Sequence, residues 1–156
     1  LAQLHPLEEA LAARGVVVWP MSELEADDAL ASAARLAAAD ERVHKVCIWT
    51  PDTDLAQCVR DERVVQVHRR RNEIDTADGV REKYGFEPPL MIDYLALMGD
   101  KSDNIPGVPG IGPKNAAKLL AEYDTVENLL SQQSSLDPPT REAIHLTVAA
   151  VNACVN

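Results

Sequence analysis

Seven acidic residues gather in three short segments: Glu25-Ala-Asp27-Asp28, Asp52-Thr-Asp54 and Asp100-Lys-Ser-Asp103. Glu25 and Asp28 are three apart and share one face of a helix, with Asp27 to the side. Asp52 and Asp54 are two apart, so in extended or turning backbone they project to the same side. Asp100 and Asp103 open a glycine-rich turn. Acids in a first helical turn also complement the helix dipole, so the first segment taken alone needs no chemistry. Three such segments, each placed after an apolar element, point further. Carboxylates brought close together repel, and some would have to take up protons without a cation. Hard, oxygen-seeking Mg2+ or Mn2+ relieves that repulsion.

Seven carboxylates exceed the needs of one ion. Paired ions about 3.5 to 4 Å apart serve phosphoryl transfer, one lowering the pKa of a water and the other neutralising the leaving oxygen. Asp28, Asp52 and Asp54 are the candidate catalytic members; Glu25, Asp27, Asp100 and Asp103 complete the expected metal set. No histidine stands beside these segments, which suits a metal-activated water. A phosphatase with an aspartyl nucleophile would place Thr two residues after the second Asp. Leu55 and Ala56 follow Asp54 instead, and the pattern fails.

Gly107-Val-Pro-Gly110-Ile-Gly112-Pro-Lys114 resembles a phosphate loop only superficially. That motif needs Lys directly after its last glycine and then Ser or Thr; Pro113 intervenes here and Asn115 follows the lysine. The spacing instead predicts a helix–hairpin–helix. Its glycines let backbone approach a phosphate closely, and Pro113 fits the first position of a new helix. That helix would offer free amides to a DNA phosphate. Lys114 and Lys118, one turn apart, add charge on one face. The other reading is a plain tight turn between helices. Arg69, Arg70 and Arg71 are a basic run after a strand, either a solvated loop or a second phosphate contact. Such a grip reads the DNA backbone, not its bases.

The elements that must hold these residues follow from periodicity. A helix is expected over 5–14, stopped by Gly15, and Val16–Trp19 reads as a strand buried on both faces. Ser22 and Glu25 form a capping-box pattern at the head of an alanine-rich helix running to about Asp40. Strands are expected at 46–50, also buried, and at 64–68. A short helix follows Pro51, and another covers 76–84 before Gly85. The alternation argues for an α/β unit with a mainly parallel sheet. After Pro88 only helices are expected: 89–98, 113–123, 126–131 and 141–155, with a polar linker over 132–139. The expected units are an α/β core over 1–86, a helix–hairpin–helix module over 87–131, and a linker with a last helix over 132–156.

The chain has 156 residues, 46% hydrophobic and 26% charged, ordinary shares for a globular protein. Its formal net charge is −10, which taken whole disfavours a phosphate-rich partner. The seven clustered acids account for most of it, and bound cations would offset much of that charge. Cys47, Cys58 and Cys154 match no disulfide or zinc spacing and read as small apolar fillers in a reducing compartment. No ligand role is assigned to the histidines. No run approaches the roughly 18 to 20 apolar residues of a membrane span, and no leader pattern opens the chain. A soluble, intracellular protein with no membrane partner is expected.

Taken together, Glu25-Ala-Asp-Asp28, Thr50-x-Asp-x-Asp-Leu55 and Gly99-Asp-x-Ser-Asp-Asn-x-Pro-Gly-Val-x-Gly-Ile-Gly-x-Lys-x-Ala116 occur in order. This combination resembles the 5′-nuclease domain of bacterial DNA polymerase I and its stand-alone 5′-3′ exonuclease relatives, over about Val16 to Leu130. The resemblance implies a PIN-like α/β core, here partial, followed by a helix–three-turn–helix DNA clamp. It implies hydrolysis of DNA phosphodiesters by a two-metal mechanism at a duplex 5′ end or 5′ flap. The seven acids would be the metal ligands, and Gly107, Gly110, Gly112, Lys114 and Lys118 the DNA grip. A K+ ion would sit at hairpin carbonyls around Val108 and Ile111. A fused or associated polymerase is a further implied partner, and a cytoplasmic, nucleoid-associated location is implied with it. The family also has an upstream Asp-bearing strand and a basic arch that are not in this sequence. The chain therefore reads as the C-terminal portion of such a nuclease, incomplete for catalysis. Thr53 stands where relatives often have Lys, and the tail after Gln132 matches the family poorly. Two alternatives remain, a non-cutting duplex-binding fragment and a PIN-type ribonuclease; the hairpin, suited to duplex DNA, argues against the second.

Overall fold

The computed structural model describes residues 3–102, 104–132 and 137–155. Helix α1 (Leu4–Ala13) ends at Arg14 and Gly15, whose φ of +79° suits glycine. It buries none of its residues. The expected strand at Val16–Trp19 is not formed: these residues are irregular, with Val17 78% and Trp19 57% exposed. A strand needs a hydrogen-bonding neighbour, and among the described residues no strand pairs with this run.

Helix α2 (Ala26–Ala39) starts later than the Ser22 pattern predicts. Glu25 is its N-cap, in extended backbone, and forms a reciprocal capping box with Asp28; the Glu25 amide donates to Asp28 Oδ2 at 3.0 Å. The acidic pair offers the same two bonds one turn after Ser22, and that is the box formed.

Strands β1 (Val46–Trp49), β2 (Val64–His68) and β3 (Glu73–Asp75) make one sheet in the order β1-β2-β3. β1 and β2 are parallel, with Val46 beside Val64 and Trp49 beside Val67. β3 returns antiparallel, with Gln66 beside Asp75. The sheet is therefore mixed, not mainly parallel. β3 went unexpected because three residues, two of them acidic, carry no hydrophobic pattern. β2 forms where the sequence predicts it, and all of it is buried. β1 is an edge strand in which only Ile48 is buried and Trp49 is 65% exposed. For the same reason Cys47 lies exposed and is no core filler. Cys58 is half-buried, and that burial pushes its thiol up from the ordinary value.

A 3-10 turn (Asp54–Cys58) joins β1 to β2. Helix α3 (Ala77–Tyr84) follows β3, capped by the Thr76 hydroxyl and ended by Gly85 at φ +83°. After a second 3-10 turn (Pro88–Leu90) come α4 (Met91–Met98), α5 (Pro113–Tyr123), α6 (Val126–Ser131) and α7 (Pro138–Val155). These helices share one core around Met91, Leu97, Ala116, Leu120, Leu129 and Ile144. Tyr84, Phe86 and Tyr94 close it with ring centroids 5.0–5.7 Å apart. A smaller core of Ala34, Ile48, Leu55 and Val64 binds α2 to the sheet. Leu55 belongs to the smaller core and Ala56 to the helical one. α7 begins three residues before the expected Arg141, with Pro138 in its first turn, as proline favours. Among the described residues no helix is long and apolar enough to cross a membrane.

Candidate functional site

The direction of α2 decides where the first acidic segment lies. Arg63, just before β2, donates from Nε to the carbonyl of Ala38 at 3.1 Å and from Nη2 to that of Asp40 at 2.9 Å. The Val46 amide in turn donates to the Arg63 carbonyl at 2.7 Å. The C-terminus of α2 is thus pinned at the N-terminal end of β1 and β2. Leu30, Ala31, Ala34 and Ala38 pack along the sheet. The head of α2, with Glu25, Asp27 and Asp28, consequently points to the end where β1 and β2 finish. In open α/β sheets that is where ligands bind.

The second segment occupies the same end. The chain leaves β1 at Trp49, and the Thr50 hydroxyl accepts the Asp52 amide at 3.1 Å. Asp52 Oδ1 accepts the Asp54 amide at 3.2 Å, an Asx-type turn that starts the 3-10 turn. Asp52 is exposed and Asp54 half-buried. Asp54 opens the turn whose next two residues enter the two cores, so it stands at their junction. That turn also packs on α4, the helix whose C-terminus delivers Asp100.

Asp100 is held by a closed loop. Its amide donates to the Ile105 carbonyl at 2.9 Å, and the Ile105 amide returns to its carbonyl at 2.7 Å. Asp100 Oδ1 accepts the Ser102 amide at 2.6 Å. Gly99 (φ +85°) and Gly107 (φ +68°) stand back to back: a Cβ on Gly99 would lie 2.7 Å from the Gly107 nitrogen, and one on Gly107 would overlap the Met98 carbonyl. Only glycine allows this crossing. Asp103 lies outside the described residues.

The structure thus joins Glu25 to Asp28 and Asp52 to Asp54, and sets the two pairs at one end of the sheet. Among the described residues it brings no three acids, histidines or cysteines to a single metal-holding point. The donors are all carboxylates with several acceptor sites each, a set chemically suited to a hard divalent ion.

The hairpin begins with Val108, buried, whose amide donates to the Leu97 carbonyl at 2.8 Å. The Val108 carbonyl accepts the Ile111 amide at 3.0 Å. Gly110 has φ +83°. Gly112 is the extended N-cap of α5 and Pro113 its first residue, as the sequence predicts. Ala116 and Leu120 anchor α5 in the core while Lys114 and Lys118 are exposed. Arg69 and Arg70 are exposed on the turn between β2 and β3, where Arg71 pairs with Glu73 at 3.1 Å.

Two polar residues escaped the sequence reading. His68, buried at the end of β2, meets Asp75 of β3 at 2.8 Å and ties the base of the arginine turn. Gln66 is fully buried, and its amide nitrogen donates to the carbonyls of Thr50, at 3.3 Å, and Asp52. The signal for both was present: polar residues interrupting the apolar run Val64-Val-Gln-Val-His68.

Two family models match the chain. The 5′-3′ exonuclease N-terminal resolvase-like domain covers residues 1–85 and the 5′-3′ exonuclease C-terminal SAM fold covers 86–153. The second match includes the tail after Gln132, which the motifs alone left outside. A 5′-3′ exonuclease of Aquifex aeolicus is 40% identical over 128 residues, spanning 82% of this chain and 43% of the relative. A DNA polymerase I of Pseudomonas aeruginosa is 46% identical over 118 residues, spanning 76% of this chain and 13% of the relative. The chain therefore spans less than half of each. T5 D15 protein, co-crystallised with metal ions, superposes with a TM-score of 0.80 at 20% identity, over 99% of this chain and 56% of that one. The catalytic core of Rad2 in complex with DNA gives 0.61 at 18% identity, over 100% of this chain and 56% of that one. These two likenesses show the shared fold: an α/β unit followed by a helical one.

Proposed function

The chain belongs to the 5′-3′ exonuclease family, and from that premise we propose that it supplies the acidic rim and DNA hairpin of a metal-dependent 5′-3′ exonuclease and 5′-flap endonuclease. The observation that carries this is topological: Arg63 fixes α2 so that its acidic head and the Asp52–Asp54 turn share one end of the sheet. Asp52, Asp54 and Asp100, with Asp103, Glu25, Asp27 and Asp28, are the residues that would hold divalent ions. When bound there, a pair of Mg2+ or Mn2+ ions supplies an activated water at neutral pH and offsets charge on the scissile phosphate.

The residues themselves do the positioning. The capping box orients Asp28 without exhausting its oxygens, and the Asx turn orients Asp52. The Gly99–Gly107 crossing fixes where Asp100 leaves α4. The α5 N-terminus and the exposed Lys114 and Lys118 grip duplex phosphates, with Arg69 and Arg70 as a further contact. The Val108 and Ile111 carbonyls are the proposed seat of K+. The protein acts on DNA in the cytoplasm, alone or joined to a polymerase.

The test is cleavage of a 5′-labelled flap substrate by the complete gene product. Short products are expected only with Mg2+ or Mn2+, and the Asp100→Ala, Asp103→Ala double variant should lose at least about a hundredfold in rate. Undiminished cleavage by that variant overturns the metal assignment. The 156-residue chain alone is expected to bind duplex with little or no cutting, because it spans only 43% of the Aquifex aeolicus 5′-3′ exonuclease it is similar to.

A further inference from the structure

Gln66 is the one polar side chain of β2 whose bonds leave the sheet for the acidic turn. Its environment fixes the orientation of its amide. Both partners, the carbonyls of Thr50 and Asp52, are acceptors, so only the NH2 group can face them. Gln66 Oε1 is buried and meets no hydrogen-bond partner among the described residues. An unmet buried acceptor costs stability, and an apolar residue in this strand would avoid that cost. The side chain is therefore held where it is by what its nitrogen does.

That nitrogen extends the sheet past its own end. Beyond Trp49, the last β1 residue paired to β2, Gln66 takes over as donor to the carbonyls at 50 and 52. The chain is drawn back towards the middle of β2 and cannot run on straight. Asp52, with its carbonyl so fixed, turns its carboxylate to the Asp54 amide at 3.2 Å. One relay thus runs from the Gln66 amide to the Asp52 backbone, to the Asp52 carboxylate, to the Asp54 amide. We infer that Gln66 is a positioning residue that sets the Asp52–Asp54 carboxylate pair through its two backbone bonds, an inference that rests on the metal-ligand reading proposed above. Outer partners of ligating carboxylates commonly carry this task.

The test uses two variants of the full chain with opposite steric character. Gln66→Met keeps the volume and removes both donors; Gln66→Asn keeps the amide but falls one methylene short. Amide hydrogen exchange at Asp52 and Asp54 should accelerate about tenfold in both, the loss of one ordinary hydrogen bond, with Val65 and Val67 unchanged. Mn2+ affinity, followed by its electron paramagnetic resonance signal, should fall about tenfold to a hundredfold in both. A space-filling role predicts otherwise: Gln66→Met silent and Gln66→Asn, which leaves a void, damaging. That pattern, or unchanged exchange in both variants, overturns the inference. Wild-type chain that binds no Mn2+ while the variants still loosen Asp52 and Asp54 would instead remove the metal reading and leave the relay standing.

Discussion

The helical module and the α/β half use their apolar residues differently. In the module, Leu97, Leu120, Leu129 and Ile144 are all buried against one another. In the first 49 residues, Leu4, Leu7, Val16, Val17, Trp19, Leu36 and Trp49 are exposed, and the shared core there is the small group around Ile48 and Leu55. Helices close a core with residues a few turns away. A sheet buries a strand only when a neighbour pairs with its edge and another layer covers its face. The same apolar content therefore yields a self-contained core in one half and an open surface in the other.

The sharpest way to break this comparison is at the glycine crossing in the module. Gly107→Ala adds both positive-φ strain and overlap with the Met98 carbonyl, and should lower stability by about 3 kcal/mol or more. Urea unfolding reads it; an unchanged midpoint would mean the loop has room that the geometry denies. Next in size, Leu129→Ala should cost about 3 kcal/mol through the cavity it leaves. Trp19→Ala, removing a larger but exposed ring, should stay within about 0.5 kcal/mol. If the two losses are equal, the contrast between the halves fails. A smaller effect tests the module's surface: Lys114→Ala with Lys118→Ala should reduce the salt slope of duplex binding by about 2. A slope that does not move separates the hairpin from phosphate contact.

The smallest effect concerns Asp93, where α4 meets α6. Burial raises its pKa above the ordinary 3.8, against the lowering effect of the Val126 amide that donates to it at 3.3 Å; Glu127 and Asp124 add to the rise. A raised carboxyl binds its proton more tightly folded than unfolded, so its contribution favours the fold at low pH and is lost as pH rises through the raised value. Asp93→Asn keeps an acceptor for Val126 and should be modestly stabilising at pH 7. That gain should shrink below the ordinary carboxyl range. A gain independent of pH would show that charge is not its origin.

What the sequence disclosed follows the same divide. Pro113–Tyr123 and Val126–Ser131 match their expected limits, because caps, proline placement and helical periodicity are local facts. The same holds for Thr76 and Gly85 around α3. Val16–Trp19 departs from the expected strand because an apolar run says what could be buried, not what is there to bury it. β3 carries too few residues for a pattern. The acids of the candidate site were visible as types and spacings, and their chemistry as a family motif. Gln66 was not, because a hydrogen bond to residues 14 and 16 positions away leaves no periodic trace.

The turn at Leu55 and Ala56 has a mechanical consequence. Adjacent side chains are set like a rivet through two plates, one in each core, with Asp54 at its head. The sheet cannot swing against the helices without drawing one of them out of its seat. A load placed on the helical plate is therefore delivered, with little slack, to the carboxylate beside it.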